Sequence, residues 1–91
     1  MDKIFEEVRK ERARQDKIWG GPKHDDLHDI NDWEKYLFNY IKKAKYSYRE
    51  CFFKSGRPEE HRRRMIQIIA LATAALQSFD RKLGEKDEIK H

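Results

Sequence analysis

The chain has 91 residues, of which 42% are charged and only 37% hydrophobic, so it builds one domain with a thin core. Cys51 is its only cysteine, which excludes an internal disulfide. No segment approaches the run of roughly 18 apolar residues that a membrane span needs. The net charge of +4 is uneven: residues 1–32 carry seven Lys/Arg against nine Asp/Glu, residues 33–64 ten against four, and residues 65–91 four against four. A basic middle third points to anionic partners or to a solvated face, and the acidic, amphipathic start is unlike a signal peptide. A cytoplasmic protein with no membrane partner is expected.

Ile4, Phe5 and Val8 begin an apolar face that predicts a first helix over residues 2–18. That face turns polar at Glu11, Arg12 and Gln15, and Gly20-Gly21-Pro22 ends the helix. Residues 23–30 read as a loop of acids and histidines. A second helix is expected over 31–53, starting near Asn31 with Glu34 as capping-box partner, or capped by Asp29. Trp33, Leu37, Tyr40, Ala44, Tyr48 and Cys51 form its expected buried stripe. Lys42, Lys45, Arg49 and Phe53 fall on an outward face.

Gly56 is the expected C-cap, and Pro58 opens a third helix over 58–83, with Glu59 and Glu60 at its positive end. Met65, Ile69, Ala72, Leu76, Phe79 and Leu83 repeat at spacings of four and three, a coiled-coil-like seam. The opposite side, through Ile68, Leu71 and Ala75, is apolar as well. A helix apolar all round is buried all round, and two short helices cannot surround it. The expected fold is therefore all-α: a three-helix protomer, residues 1–84, that assembles through residues 58–83 into an oligomeric helical bundle, most simply a two-fold dimer. Residues 85–91 read as a charged, flexible tail.

Glu11-Arg12-x-Arg14-Gln15-Asp16, then Trp19-Gly20-Gly21-Pro22, His24-Asp25-Asp26-x-His28 and Trp33, followed by Ala70-Leu71-Ala72-x-Ala74-Ala75-Leu76-x-Ser78-x-Asp80-Arg81, resembles a group of small helical proteins of phages and prophages. The resemblance covers about residues 7–82 and implies a host-cell cytoplasmic setting. More distantly the layout is similar to the MazG-like all-α nucleoside triphosphate pyrophosphohydrolases. Those are oligomers that bind nucleotides between subunits and hold magnesium with a Glu-x-x-Glu and a Glu-x-x-Asp pair. Here the corresponding stretches read Tyr40-Ile41-Lys42-Lys43-Ala44-Lys45 and His61-Arg62-Arg63-Arg64-Met65-Ile66, with cations where the acids are needed. The resemblance thus implies a pocket for anionic ligands, neutralised by side chains instead of magnesium.

Polar groups on a would-be core face cost folding energy unless partnered, so they mark candidate sites. His24, Asp25, Asp26 and His28 are candidate ligands for a divalent metal; otherwise the acids pair with Arg12, Arg14 or Arg81. Glu11, Arg12 and Gln15 are expected to form a polar network with Asp80 and Arg81. Trp19 and Trp33 either stack on a base or close the core. Lys42, Lys43, Lys45, Arg49, Lys54, Arg57, Arg62, Arg63 and Arg64 alternate with Tyr36, Tyr40, Tyr46, Tyr48, Phe52 and Phe53, a pattern suited to phosphate and base. No serine or cysteine has a credible base and orienting partner, and Gly20-Gly21-Pro22-Lys23 lacks the ending of a phosphate loop.

The leading expectation is a phage-type accessory protein that binds an anionic nucleotide without catalysis and requires no cofactor. Its use would be counter-defence, by sequestering a nucleotide signal or blocking a host immune complex. The ligand-binding set is Arg12, Gln15, Trp19, His24, Asp25, Asp26, His28, Trp33, Lys42, Lys45, Arg49, Arg62 and Arg63. The alternatives are a metal-dependent nucleotide phosphohydrolase and a protein that inhibits a host enzyme through its basic surface.

Overall fold

Four helices follow one another: α1 (Asp2–Trp19), α2 (Pro22–Asp25), α3 (Ile30–Phe53) and α4 (Pro58–Ile89). The structure, a computed structural model, describes residues 1–89, and among these there is no strand, so the chain is all-α. No described helix is long and apolar enough to cross a membrane.

Local chemistry sets the boundaries. α1 stops at Gly20, whose φ of 103° is left-handed and costs a side chain dearly; its N–H returns to the Asp16 carbonyl at 2.9 Å. α2 is a single turn in the segment expected to be loop. α3 opens with a reciprocal box in which Asp29 Oδ1 accepts from the Asp32 N–H at 3.0 Å and Asp32 Oδ2 accepts from the Asp29 N–H at 3.1 Å. Asp32, three residues on, takes the place expected for Glu34. Lys54, not Gly56, caps the other end. Gly56 serves a different need: its N–H bonds the Glu50 carbonyl at 2.9 Å, and a Cβ there would lie 2.6 Å from the Glu50 carbonyl carbon.

α4 is the spine, and α1, α2 and α3 each pack against it. It runs through Gly84 to Ile89, past the end expected at Leu83. One glycine costs a helix about 1 kcal/mol, too little to stop it between good helix formers. The expected tail at 85–91 therefore begins inside this helix, and its last two residues lie outside the described residues.

The buried face of α4 is Gln67, Ala70, Leu71, Ala74 and Ser78. Three of these are small, which lets α1 and α3 approach closely. Trp33, Leu71 and Ala74 form the centre, with Trp19, Leu37, Tyr40 and Ala75 packed on it. On α3 the expected stripe holds at Trp33 and Ala44, but Tyr48 is exposed and Ser47 is buried instead. Ser47 Oγ donates to the Ala44 carbonyl at 2.9 Å, and His61 Nδ1 of α4 lies 2.9 Å from the same oxygen. That oxygen accepts, so the His61 proton sits on Nδ1 and ties α4 to α3.

The heptad-spaced seam of α4 faces solvent in the protomer, with Leu76 60% and Phe79 58% exposed. The protomer packs through the alanine-rich stripe because only small side chains let three helices converge on one. The molecule is elongated, 58 × 28 × 23 Å, with a radius of gyration of 15.5 Å against about 12 Å for a compact domain of this length.

Candidate functional site

α1, α2, α3 and α4 meet around a cavity of about 280 Å³. Its walls are aromatic: Trp19 from the end of α1 and Trp33, Tyr36 and Tyr40 from successive turns of α3, with Leu71 of α4 among the lining. The spacing from 33 to 36 to 40 places the α3 rings on one face. Its polar lining is His24, Asp25, His28, Asn39 and Lys43. His28 stands edge-on to Trp33 at 5.3 Å, to Tyr36 at 5.1 Å and to His24 at 4.6 Å between ring centroids.

Three polar atoms of this lining are buried without a hydrogen-bond partner: His24 Nδ1, Asp25 Oδ2 and His28 Nε2. Each is enclosed by protein atoms and has no hydrogen-bond partner within the protein. Asp25 is only 6% exposed. Its nearest cation is Arg12, at 3.8 Å, and His24 Nδ1 lies 3.9 Å from its other oxygen. Burial pushes the Asp25 carboxyl above its ordinary pKa; Arg12 opposes this and Asp16 reinforces it.

The neighbouring Asp26 is held quite differently. Arg81 grips it as a fork, from Nε at 3.1 Å and Nη2 at 2.7 Å, and the buried Ser78 hydroxyl donates to it at 2.8 Å. The Arg81 hydrogen bonds, aided by Ser78, bring the Asp26 carboxyl below its ordinary pKa. Asp26 is the clamp that fixes α2 onto α4, and this places Asp25 and His24 in the cavity wall.

Behind Asp25 lies the polar half of α1. Arg12 donates to Asp16 at 3.1 Å and to Gln77 at 3.2 Å, and Gln15, 1% exposed, donates to Glu11 at 3.1 Å. The expected network of Glu11, Arg12, Gln15, Asp80 and Arg81 is thus divided. Arg14 pairs with Glu11, Arg12 with Asp16 and Asp25, and Arg81 with Asp26, while Asp80 is exposed.

A second, more open cavity of about 490 Å³ adjoins the first and shares Asn39 and Lys43 with it. Lys42, Lys43, Arg57 and Arg64 outnumber Glu50 and Glu60 in its lining, with Tyr46 beside them, and Arg64 pairs with Glu60 at 3.3 Å. Lys43 Nζ sits 5.1 Å from the centre of the Tyr40 ring, at the junction of the two spaces.

Of the residues expected to bind ligand, Trp19, His24, Asp25, His28 and Trp33 come together in the aromatic cavity, and Lys42 lies in the adjoining one. Arg12 and Gln15 support the wall from behind. Asp26 is committed to Arg81. Lys45 and Arg49 are exposed and line neither space, while Arg62 and Arg63 lie along α1 and α4 in a separate groove, paired with Glu7 and Glu60. Lys43, Arg57 and Arg64 belong to the basic–aromatic alternation but not to the expected ligand-binding set. Tyr36, Tyr40 and Lys43 belong to the basic–aromatic alternation, but nothing in the alternation separates them from Tyr46 or Lys45. Asn39 and Leu71 carry no sequence signal at all.

Among the described residues no three His, Cys, Asp or Glu side chains converge on one point, and Asp26 is turned to Arg81. No family model, curated protein or solved structure matches this chain.

Proposed function

We propose that this protein binds a nucleotide without turning it over, with the base in the aromatic cavity and the phosphates on the basic groove. The observation that carries this reading is the junction of two spaces of contrasting chemistry at Asn39 and Lys43. Ring-lined walls bind a base through its π-face, and clustered lysine and arginine bind phosphate. Neither feature alone selects a nucleotide, but their adjacency matches its two halves. Binding without hydrolysis is supported by the lysines and arginines that occupy the places of acidic metal ligands.

The same reading takes a second copy of the chain as partner. The exposed seam from Met65 to Leu83 keeps heptad spacing over a length that a two-fold partner helix can match. The protomer exposes 7227 Å², whereas a compact chain of 11.1 kDa exposes about 5,700 Å². The excess of roughly 1,500 Å² on one chain is nearly twice the roughly 800 Å² that each partner buries in a standard interface. In a protein resembling phage accessory proteins, retention without turnover suits a sponge that lowers the free level of a host nucleotide signal.

Isothermal titration of the full chain with linear and cyclic nucleotides tests the proposal. Micromolar binding that weakens on Lys43→Ala or Arg64→Ala, and weakens more for triphosphates than for nucleosides, is expected. No heat with any nucleotide would overturn it.

A further inference from the structure

Ten lysines and arginines lie between residues 33 and 64. Lys54, Arg62, Arg63 and Arg64 pair with Glu50, Glu7 and Glu60. Lys42, Lys43 and Arg57 line the basic cavity. That leaves Lys35, Lys45 and Arg49, all exposed on α3, and among the described residues none of the three forms an ion pair. With Lys42 they follow one another at spacings of seven, three and four, which is one side of a helix. That side is turned away from α4, since Trp33, Ala44 and Ser47, the residues that α3 buries, lie opposite.

Aromatic rings interleave with these cations. Phe38, Tyr46 and Phe53 fall on the same side and are 57%, 66% and 78% exposed. Lys42 Nζ lies 5.0 Å from the centre of the Phe38 ring, so a charge and a π-face form one unit. From Lys35 to Phe53 the strip is about 27 Å long. Of the acids of α3, Asp32 belongs to the cap, Glu50 pairs with Lys54 and Glu34 lies at the edge of the strip.

Exposed rings beside uncompensated positive charge fit a partner that is anionic and presents flat apolar faces. A single-stranded nucleic acid has both, repeated along its length: phosphates for the cations and unpaired bases for the rings. A duplex offers the phosphates but hides its base faces in the stack. An anionic lipid surface takes a helix whose apolar and charged sides are separate, whereas here rings and cations share one side. We propose that the outward face of α3 is a platform for single-stranded nucleic acid. Lys35, Lys42, Lys45 and Arg49 hold its phosphates, and Phe38, Tyr46 and Phe53 stack on its bases.

Phe38, Lys45, Arg49 and Phe53 line neither cavity, so their variants test this face apart from the nucleotide reading. Fluorescence anisotropy of a labelled oligodeoxythymidylate, titrated with the full chain over a range of salt, gives affinity and salt dependence together. Four phosphate contacts predict that log K falls against log salt with a slope of about −3. Lys45→Ala with Arg49→Ala should roughly halve that slope. Phe38→Ala with Phe53→Ala should keep the slope and weaken binding roughly ten-fold or more, through lost stacking. Pairing the oligonucleotide with its complement should weaken binding as well. All four positions are exposed, and circular dichroism verifies that the variants keep their helices.

No anisotropy change with the single strand would overturn the proposal. So would a duplex bound as tightly as the strand, a slope unaltered by the charge variant, or an affinity unaltered by the ring variant. Flotation with phosphatidylserine vesicles, by a chain that leaves the oligonucleotide free, would assign the face to a lipid surface instead.

Discussion

Replacing Asp25 with asparagine removes a charge that the ligand-free protein holds at a cost. The residue is 6% exposed, its Oδ2 accepts no hydrogen bond, and the nearest guanidinium, that of Arg12, stands off at 3.8 Å. A buried acceptor left without a donor costs about 1–3 kcal/mol. Asparagine has nearly the same shape and no charge. Truncating one member of a buried pair usually strands the other, but Arg12 keeps Asp16 at 3.1 Å and Gln77 at 3.2 Å. Asp25→Asn is therefore expected to stabilise the free protein by about 1 kcal/mol, a rise in Tm of about 4–8 °C for a domain of this size.

The pH dependence has a definite sign. Burial raises the folded-state pKa of Asp25 above its unfolded value, against the pull of Arg12, His24 and Arg81 and with the push of Asp16. The folded state then holds a proton that the unfolded state has released, so Asp25 destabilises the fold as pH rises through the folded pKa. The advantage of Asp25→Asn is expected to be full at neutral pH and to shrink as pH falls toward the ordinary carboxylate range. Melts followed by circular dichroism at one protein concentration across that range measure it. A variant that melts at or below the parent at neutral pH would refute the account of Asp25 as an unsatisfied group.

Asp26→Asn should do the opposite, losing about 1–2 kcal/mol at neutral pH because the Arg81 fork and the Ser78 hydroxyl lose their acceptor charge. Its folded pKa is lowered, so the loss relative to the parent should fade as pH falls through that lowered value. Gly56→Ala forces a Cβ to within 2.6 Å of the Glu50 carbonyl carbon and should lower stability by about 1–3 kcal/mol in chemical denaturation; an unchanged midpoint would contradict the close approach. Leu76→Lys with Phe79→Lys alters side chains that are 60% and 58% exposed in the protomer, so helicity should persist while sedimentation shifts from dimer to monomer. A parent chain that already sediments as a monomer would remove the second copy from the proposal.

The helices were legible because their punctuation is strong. Gly20-Gly21-Pro22 and Pro58 stop and start helices whatever surrounds them. The capping box was harder, since Asp32 and Glu34 both follow a possible cap and only the backbone start at Ile30 decides between them. The site was legible as a region but not as a division of labour. Asp25 and Asp26 are chemically identical neighbours, yet one faces a cavity and the other a guanidinium. That difference arises because α2 is a helical turn, which points adjacent side chains about 100° apart. Read as a loop, the segment gives no reason to separate them.

The periodicity of α4 shows two apolar sides and does not say which of them builds the protomer. A heptad row of large apolar residues looks like the stripe that builds the domain, yet the stripe that does so is Gln67, Ala70, Leu71, Ala74 and Ser78. Packing three helices onto one requires close approach, and close approach requires small side chains. The polar members are partnered: the Gln67 side chain accepts from Arg64 of its own helix at 3.2 Å while Gln15 of α1 donates to the Gln67 backbone carbonyl at 3.5 Å, and Ser78 donates to Asp26. The large residues are then left over, on a face the chain cannot cover. A thin core and a surplus apolar seam have one common cause. The helix uses its small side for its own chain and leaves its large side exposed, while the cavity between α2 and α3 is lined by His24, Asp25 and His28, each with an enclosed polar atom that has no protein partner.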